Sequence, residues 1–131
     1  MKRIARIVIL LFIVYIAITE RFPQYAIGYE VATGVTGDKI KQIELGMTRE
    51  QVIDILGKPL KVGTTLNCDK TIELLYAKYD SWVIGGTNFW ILIDSNNCVE
   101  SIYAKDCDNL VYWKNPNNDF INEERFKKYF K

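Results

Sequence analysis

The chain has 131 residues, 49% hydrophobic and 25% charged, which suits one globular domain and excludes disordered, collagen-like and coiled-coil readings. Its net charge of +1 hides an asymmetry. Lys2, Arg3, Arg6 and Arg21 crowd the N-terminus against Glu20 alone, and residues 24–131 carry 13 basic and 15 acidic side chains. A net −2 lacks the basic excess of a nucleic-acid binder, so no nucleic-acid partner is expected. The absence of histidine removes the commonest general base, the commonest metal ligand and every histidine-activated nucleophile.

Lys2, Arg3 and Arg6 precede the uncharged apolar run Ile7–Ile18, the pattern of a secretory signal or a signal anchor. Twelve residues are short for a hydrocarbon core, which needs roughly 17–25 helical residues, and snorkelling of Arg6 extends the run only slightly. Residues 1–22 are therefore expected to contact the membrane. They place the remainder in the periplasm, as a single-pass inner-membrane protein or, after cleavage, as a soluble periplasmic one. No cysteine follows the run to carry a lipid.

Residues 23–37, with three glycines and no apolar period, read as a linker to a domain at 38–131. Asp38 opens a short helix with Ile40 and Ile43 on one side, stopped by Gly46. Thr48 and Gln51 form the capping-box pattern for a second helix, with Val52, Ile55 and Leu56 on one apolar face. Gly57 and Pro59 end that helix. Three strands follow: Thr71–Lys78 with alternating apolar residues, the nearly all-apolar Asn88–Ile93 as a centre strand covered on both faces, and Cys98–Ala104 after the turn Asp94–Asn97. Leu110–Trp113 reads as a further short strand, Asn115–Asp119 as a loop, and Phe120–Phe130 as an amphipathic helix docking on the domain. The fold class is α+β: two short helices on a three-stranded antiparallel sheet, with an N-terminal hydrophobic helix and a short C-terminal one.

Cys68, Cys98 and Cys107 suit an oxidising compartment. A meander places Cys68 and Cys98 at one end of the sheet, so a Cys68–Cys98 disulfide is expected if the Leu66–Lys70 loop leans across. Three free thiols and a Cys98–Cys107 pair are the alternatives.

The segment from Ile43 to Pro59, carrying Gly46-Met47-Thr48, Gln51-Val52 and Leu56-Gly57-x-Pro59, resembles the SmpA/OmlA family. That family includes the small lipoprotein subunit of the outer-membrane β-barrel assembly machinery. The resemblance implies two helices on one face of a three-stranded antiparallel sheet. Its residues cap and terminate a helix, so the motif speaks of architecture, and function has to be argued from sites.

Sites for chemistry are few. Glu50 and Asp54 share a helix face, Asp94–Asn97 lacks the glycine and distal glutamate of a calcium loop, and Asp106 and Asp108 flank Cys107 in a polar turn. Gly85-Gly86 lacks the lysine of a phosphate loop, and no cofactor, metal or small-molecule substrate is expected. The better lead is the 17 aromatic residues, too many for a core behind two short helices. Tyr79, Trp82, Tyr112 and Trp113, near strand ends and loops, are the candidate partner-binding residues. The reading is a non-catalytic periplasmic binding or scaffold domain, linked to outer-membrane protein assembly, with an unknown protein partner. The alternative is an inhibitor or immunity-type protein that binds an enzyme or toxin.

Overall fold

The computed structural model describes residues 1–22, 26, 28–64, 71–79, 87–106 and 109–130. Its elements are helix α1 (Lys2–Arg21), strand β1 (Tyr29–Val31), helices α2 (Gly37–Lys41) and α3 (Arg49–Leu56), and strands β2 (Lys61–Thr64), β3 (Ile72–Tyr79), β4 (Thr87–Ile93), β5 (Val99–Asp106), β6 (Asn109–Asn115) and β7 (Asn118–Ile121). Helix α4 (Glu123–Tyr129) completes the described chain.

Helix α3 forms as its local chemistry dictates. Thr48 accepts a hydrogen bond from the Gln51 amide at 3.3 Å, and the Gln51 side chain accepts from the Thr48 amide at 2.8 Å. Two donors that the helix cannot satisfy are thereby paired. Gly57 closes the helix at φ 80°, ψ −166°, a backbone open to glycine, and its carbonyl accepts from the Tyr76 hydroxyl at 3.0 Å. Thr48→Ala should cost about 1 kcal/mol. Leu56→Ala, at a fully buried position, should cost about 2–5 kcal/mol. Urea unfolding of both variants tests this, and a larger loss from the cap would contradict the packing of α3.

The antiparallel meander expected from the alternating runs is present, but among the described residues the sheet has seven strands, not three. Its order is β1-β3-β4-β5-β6-β7, with β2 also paired to β3. Strands β1 and β2 share one edge of β3, one against residues 77–79 and the other against 72–75. Of the four strands beyond those three, β6 contains the further short strand read at Leu110–Trp113, while β1, β2 and β7 have only three or four residues each and depend on pairing with a neighbour more than on their own propensity. The supposed linker contributes β1, a buried Ala32 whose amide donates to the Tyr76 carbonyl, and the Thr36 cap of α2. The supposed loop Asn115–Asp119 is instead a two-residue hairpin turn between β6 and β7, and the last helix begins only after its cap Asn122.

One face of the sheet carries the core. Ile40 and Ile43, Val52 and Leu56 of α3, and Phe126, Tyr129 and Phe130 at the C-terminus pack on Leu74, Tyr76, Phe89, Ile91, Ile93, Ile102 and Val111. The C-terminal segment thus docks on the domain as expected. Tyr29 adds a hydroxyl that donates to the Tyr129 carbonyl, and Lys114 ties β6 to Glu44 at 2.6 Å.

Helix α1 has the expected place and exposes Ile4, Ile7–Tyr15 and Ile18. No helix among the described residues is long and apolar enough to cross a membrane, so the single-pass inner-membrane reading is not supported. The cause is local. Arg6 and Glu20 bracket the apolar stretch, and twelve helical residues reach only about 18 Å.

Candidate aromatic docking face

The side of the sheet away from the helices holds the most distinctive surface. Cross-strand partners in an antiparallel sheet project to the same side. The registers Leu75↔Trp90, Trp90↔Tyr103, Tyr103↔Trp113 and Trp113↔Phe120 therefore align one residue from each of β3 to β7 in a single row. Four strand spacings make this ladder about 19 Å long. None of its members belongs to the core cluster, and Leu75, flanked by β2 on one side and Trp90 on the other, is only 6% exposed. The Tyr103 and Trp113 rings lie 6.0 Å apart at 35°. Phe120, at the outer strand, is 41% exposed.

The row is bordered by charge and by further apolar surface. Leu92, half-buried, pairs with Glu73 and Ser101, and Lys105 pairs with Asn88 and Leu110. Burial pushes the Tyr103 hydroxyl above its ordinary pKa, and the Glu73 charge adds to that. The Trp113 indole N–H is buried and has no acceptor among the described residues, an unmet donor at the middle of the face. Aromatic residues with a polar border are the composition of protein-binding patches, where Trp and Tyr bury large area at small entropic cost.

Of the four residues named from sequence, Trp113 lies on this ladder. Tyr112 does not. It is 4% exposed on the helix side, where its ring lies 5.6 Å from Phe126, so it is a core residue and not a docking one. Tyr79 lies in β3 opposite Tyr29 and Thr87, and Trp82 lies outside the described residues. Phe120 was missed because it was placed in the terminal helix and not in β7, and Tyr103 because it lay inside the third strand, away from the strand ends and loops where binding residues were sought. Trp90 was missed because the Asn88–Ile93 run was read as covered on both faces. In fact Phe89, Ile91 and Ile93 are buried against the helices while Trp90 and Leu92 are half-buried on the other side. The signal was present in the parity of Trp90 against Phe89 and Ile91.

The other candidates resolve into structure. Both Glu50 oxygens accept from the Asn97 side-chain amide, at 3.0 and 3.1 Å. A backbone hydrogen bond first, and Asn97 second, hold the Glu50 carboxyl below its ordinary pKa, so it stays an anion, while Asp54 is exposed. Asp94 accepts from the amides of Asn96 and Cys98, which makes Asp94–Asn97 a turn. No group of residues arranged to hold a metal ion occurs among the described residues. Gly85, Gly86, Asp108 and the cysteines Cys68 and Cys107 lie outside them, and Asp106 stands in β5.

Cys98 is a free cysteine whose sulfur donates to the Asn96 carbonyl at 3.6 Å, no disulfide occurs among the described residues, and Cys68, its expected partner, lies outside them. The segment around Thr48 packs on this end of the sheet. Thr48 bridges to Cys98, the Arg49 amide donates to the Asn97 carbonyl, and the Gly46 amide donates to that of Val99.

Burial pushes the hydroxyls of Tyr76 and Tyr112 up to about 12, with the charges of Asp119 and Glu44 adding to the shift at Tyr112. A raised folded-state pKa means the native state holds the proton more tightly than the unfolded chain. This contribution is complete below the unfolded value near 10 and is lost as pH rises through 12. Thermal midpoints should therefore fall between pH 10 and 12, in step with the phenolate absorbance of the buried tyrosines. A midpoint constant across that window would show that these hydroxyls are not buried.

Among known families, residues 32–70 match the model of the outer membrane protein assembly factor BamE domain, and this supports the SmpA/OmlA resemblance carried by Gly46–Pro59. No curated protein and no solved structure gives a match to the chain.

Proposed function

We propose, from a BamE-type domain at residues 32–70, that this chain is a non-catalytic protein of the bacterial envelope that serves outer-membrane protein assembly by binding another protein. The observation that carries the reading is the ladder of Leu75, Trp90, Tyr103, Trp113 and Phe120 on the helix-free face of the sheet. A solvated face of this composition costs free energy that a partner recovers by covering it. Among the described residues the helix face offers no such surface, since its apolar residues are spent on the core. Residues 1–22 act as the export segment that delivers the domain to the periplasm, on the strength of the basic flank and the apolar run. The inhibitor or immunity reading gains nothing from the family match.

Replacing Tyr103 by a benzophenone-bearing amino acid in living cells tests the docking face. Illumination should link the chain to a component of the outer-membrane assembly apparatus, and the same probe at exposed Asp54 should give little product. Equal yields from both positions would refute the assigned face. A cytoplasmic location of a reporter fused at Lys131 would refute the export role.

A further inference from the structure

We propose that β7 is a self-association edge, through which two copies of this chain pair their 118–122 segments antiparallel about a two-fold axis at Phe120. This goes beyond the docking of an assembly partner and does not depend on it. The backbone fixes which groups are free. The Asn122 amide donates to the Val111 carbonyl, so Asn122 and Val111 are a hydrogen-bonded pair, and the β6–β7 register extends that pattern to Phe120↔Trp113 and Asn118↔Asn115. The backbone N–H and C=O of Asp119 and Ile121 therefore point away from β6. Among the described residues no strand pairs with that edge.

A two-fold centred on Phe120 uses these groups fully. Asp119 then faces Ile121 of the second copy, and the two symmetric pairs exchange four backbone hydrogen bonds. Phe120 meets its own copy at a non-hydrogen-bonded position, where Cα atoms approach to about 4.5 Å and side chains are closest. The alternative centres are worse. Centring on Asp119 sets two carboxylates opposite each other, and centring on Ile121 runs the pairing into α4, which begins at Glu123. The chosen register also explains why the ladder ends on an exposed phenylalanine at an open edge. Phe120 against Phe120 joins the two ladders into one row across both sheets, and an isologous contact of this kind closes at two copies. An edge of four residues is a small interface, so dissociation is expected at about 10–100 μM.

The test uses the full chain in detergent micelles, with Cys68, Cys98 and Cys107 replaced by serine. Under mild oxidation Phe120→Cys should form a disulfide-linked species of twice the 15.2 kDa chain mass, at least about ten times faster than Asn118→Cys. Asn118 lies opposite Asn122 of the second copy, so two Asn118 positions stand about 14 Å apart. Sedimentation equilibrium of the native chain should show a monomer–dimer equilibrium, and Phe120→Lys should shift it at least about tenfold toward monomer by setting like charges in contact. A native chain that stays monomeric to about 100 μM, equal cross-linking rates at 118 and 120, species larger than a dimer, or a dimer that survives Phe120→Lys would each overturn the proposal.

Discussion

Phe89→Ala should remove about 3–5 kcal/mol of stability, more than any single truncation on the helix-free face. Phe89 is fully buried at the middle of β4, the strand flanked on both sides by long antiparallel partners. Its ring meets Phe130 edge-on at 5.4 Å and Tyr76 at 6.4 Å, so it links the C-terminal segment to the sheet and to the bulge of β3. The cavity cannot collapse easily. Phe130 is also held by Phe126 and Tyr129, and its carbonyl packs so closely on Gly37 that a Cβ there would lie 2.5 Å from it. Urea unfolding with an unchanged m-value should show the loss as a lower midpoint. A cost below about 1 kcal/mol would mean that the C-terminal segment does not pack as described.

What could be read from the sequence follows the range of the interactions. The α3 cap was legible because Thr48 and Gln51 are three residues apart and each satisfies the other's backbone. The β3–β4–β5 meander was legible because each strand alternates or runs apolar for several residues. Strands β1, β2 and β7 were not, since three or four residues such as Lys61-Val-Gly-Thr64 carry no period, and pairing to β3 or β6 decides their conformation. The candidate face fell on the same divide. Trp113 could be suspected from its type alone. Its alignment with Trp90 and Tyr103 depends on register shifts at Leu92/Ile93 and Ala104/Lys105, which no local pattern announces. Tyr112 failed for the converse reason, because one of those shifts turns its side chain toward Phe126.

Trp90→Lys combined with Trp113→Lys should reduce partner retention by about thirtyfold or more while leaving the fold nearly as stable. Central aromatics of a binding patch commonly contribute about 2 kcal/mol or more each, and about 2 kcal/mol corresponds to that factor. The domain itself should tolerate the change, because both side chains stand outside the core cluster. A lysine stem at position 90 can still cover Leu75, its register neighbour, with the ammonium in water. Loss of the indole at 113 also removes a buried N–H that has no acceptor among the described residues, which offsets part of the lost packing. The measurement is co-purification of cross-linked partner from membranes at equal protein level, alongside the thermal midpoint of the purified variant. Partner recovery at the native level from a folded double variant would place the docking surface elsewhere. Recovery that drops only together with the thermal midpoint would make Trp90 and Trp113 packing residues. A selective loss at an unchanged midpoint would assign binding to the ladder, because the two lysines alter that face alone.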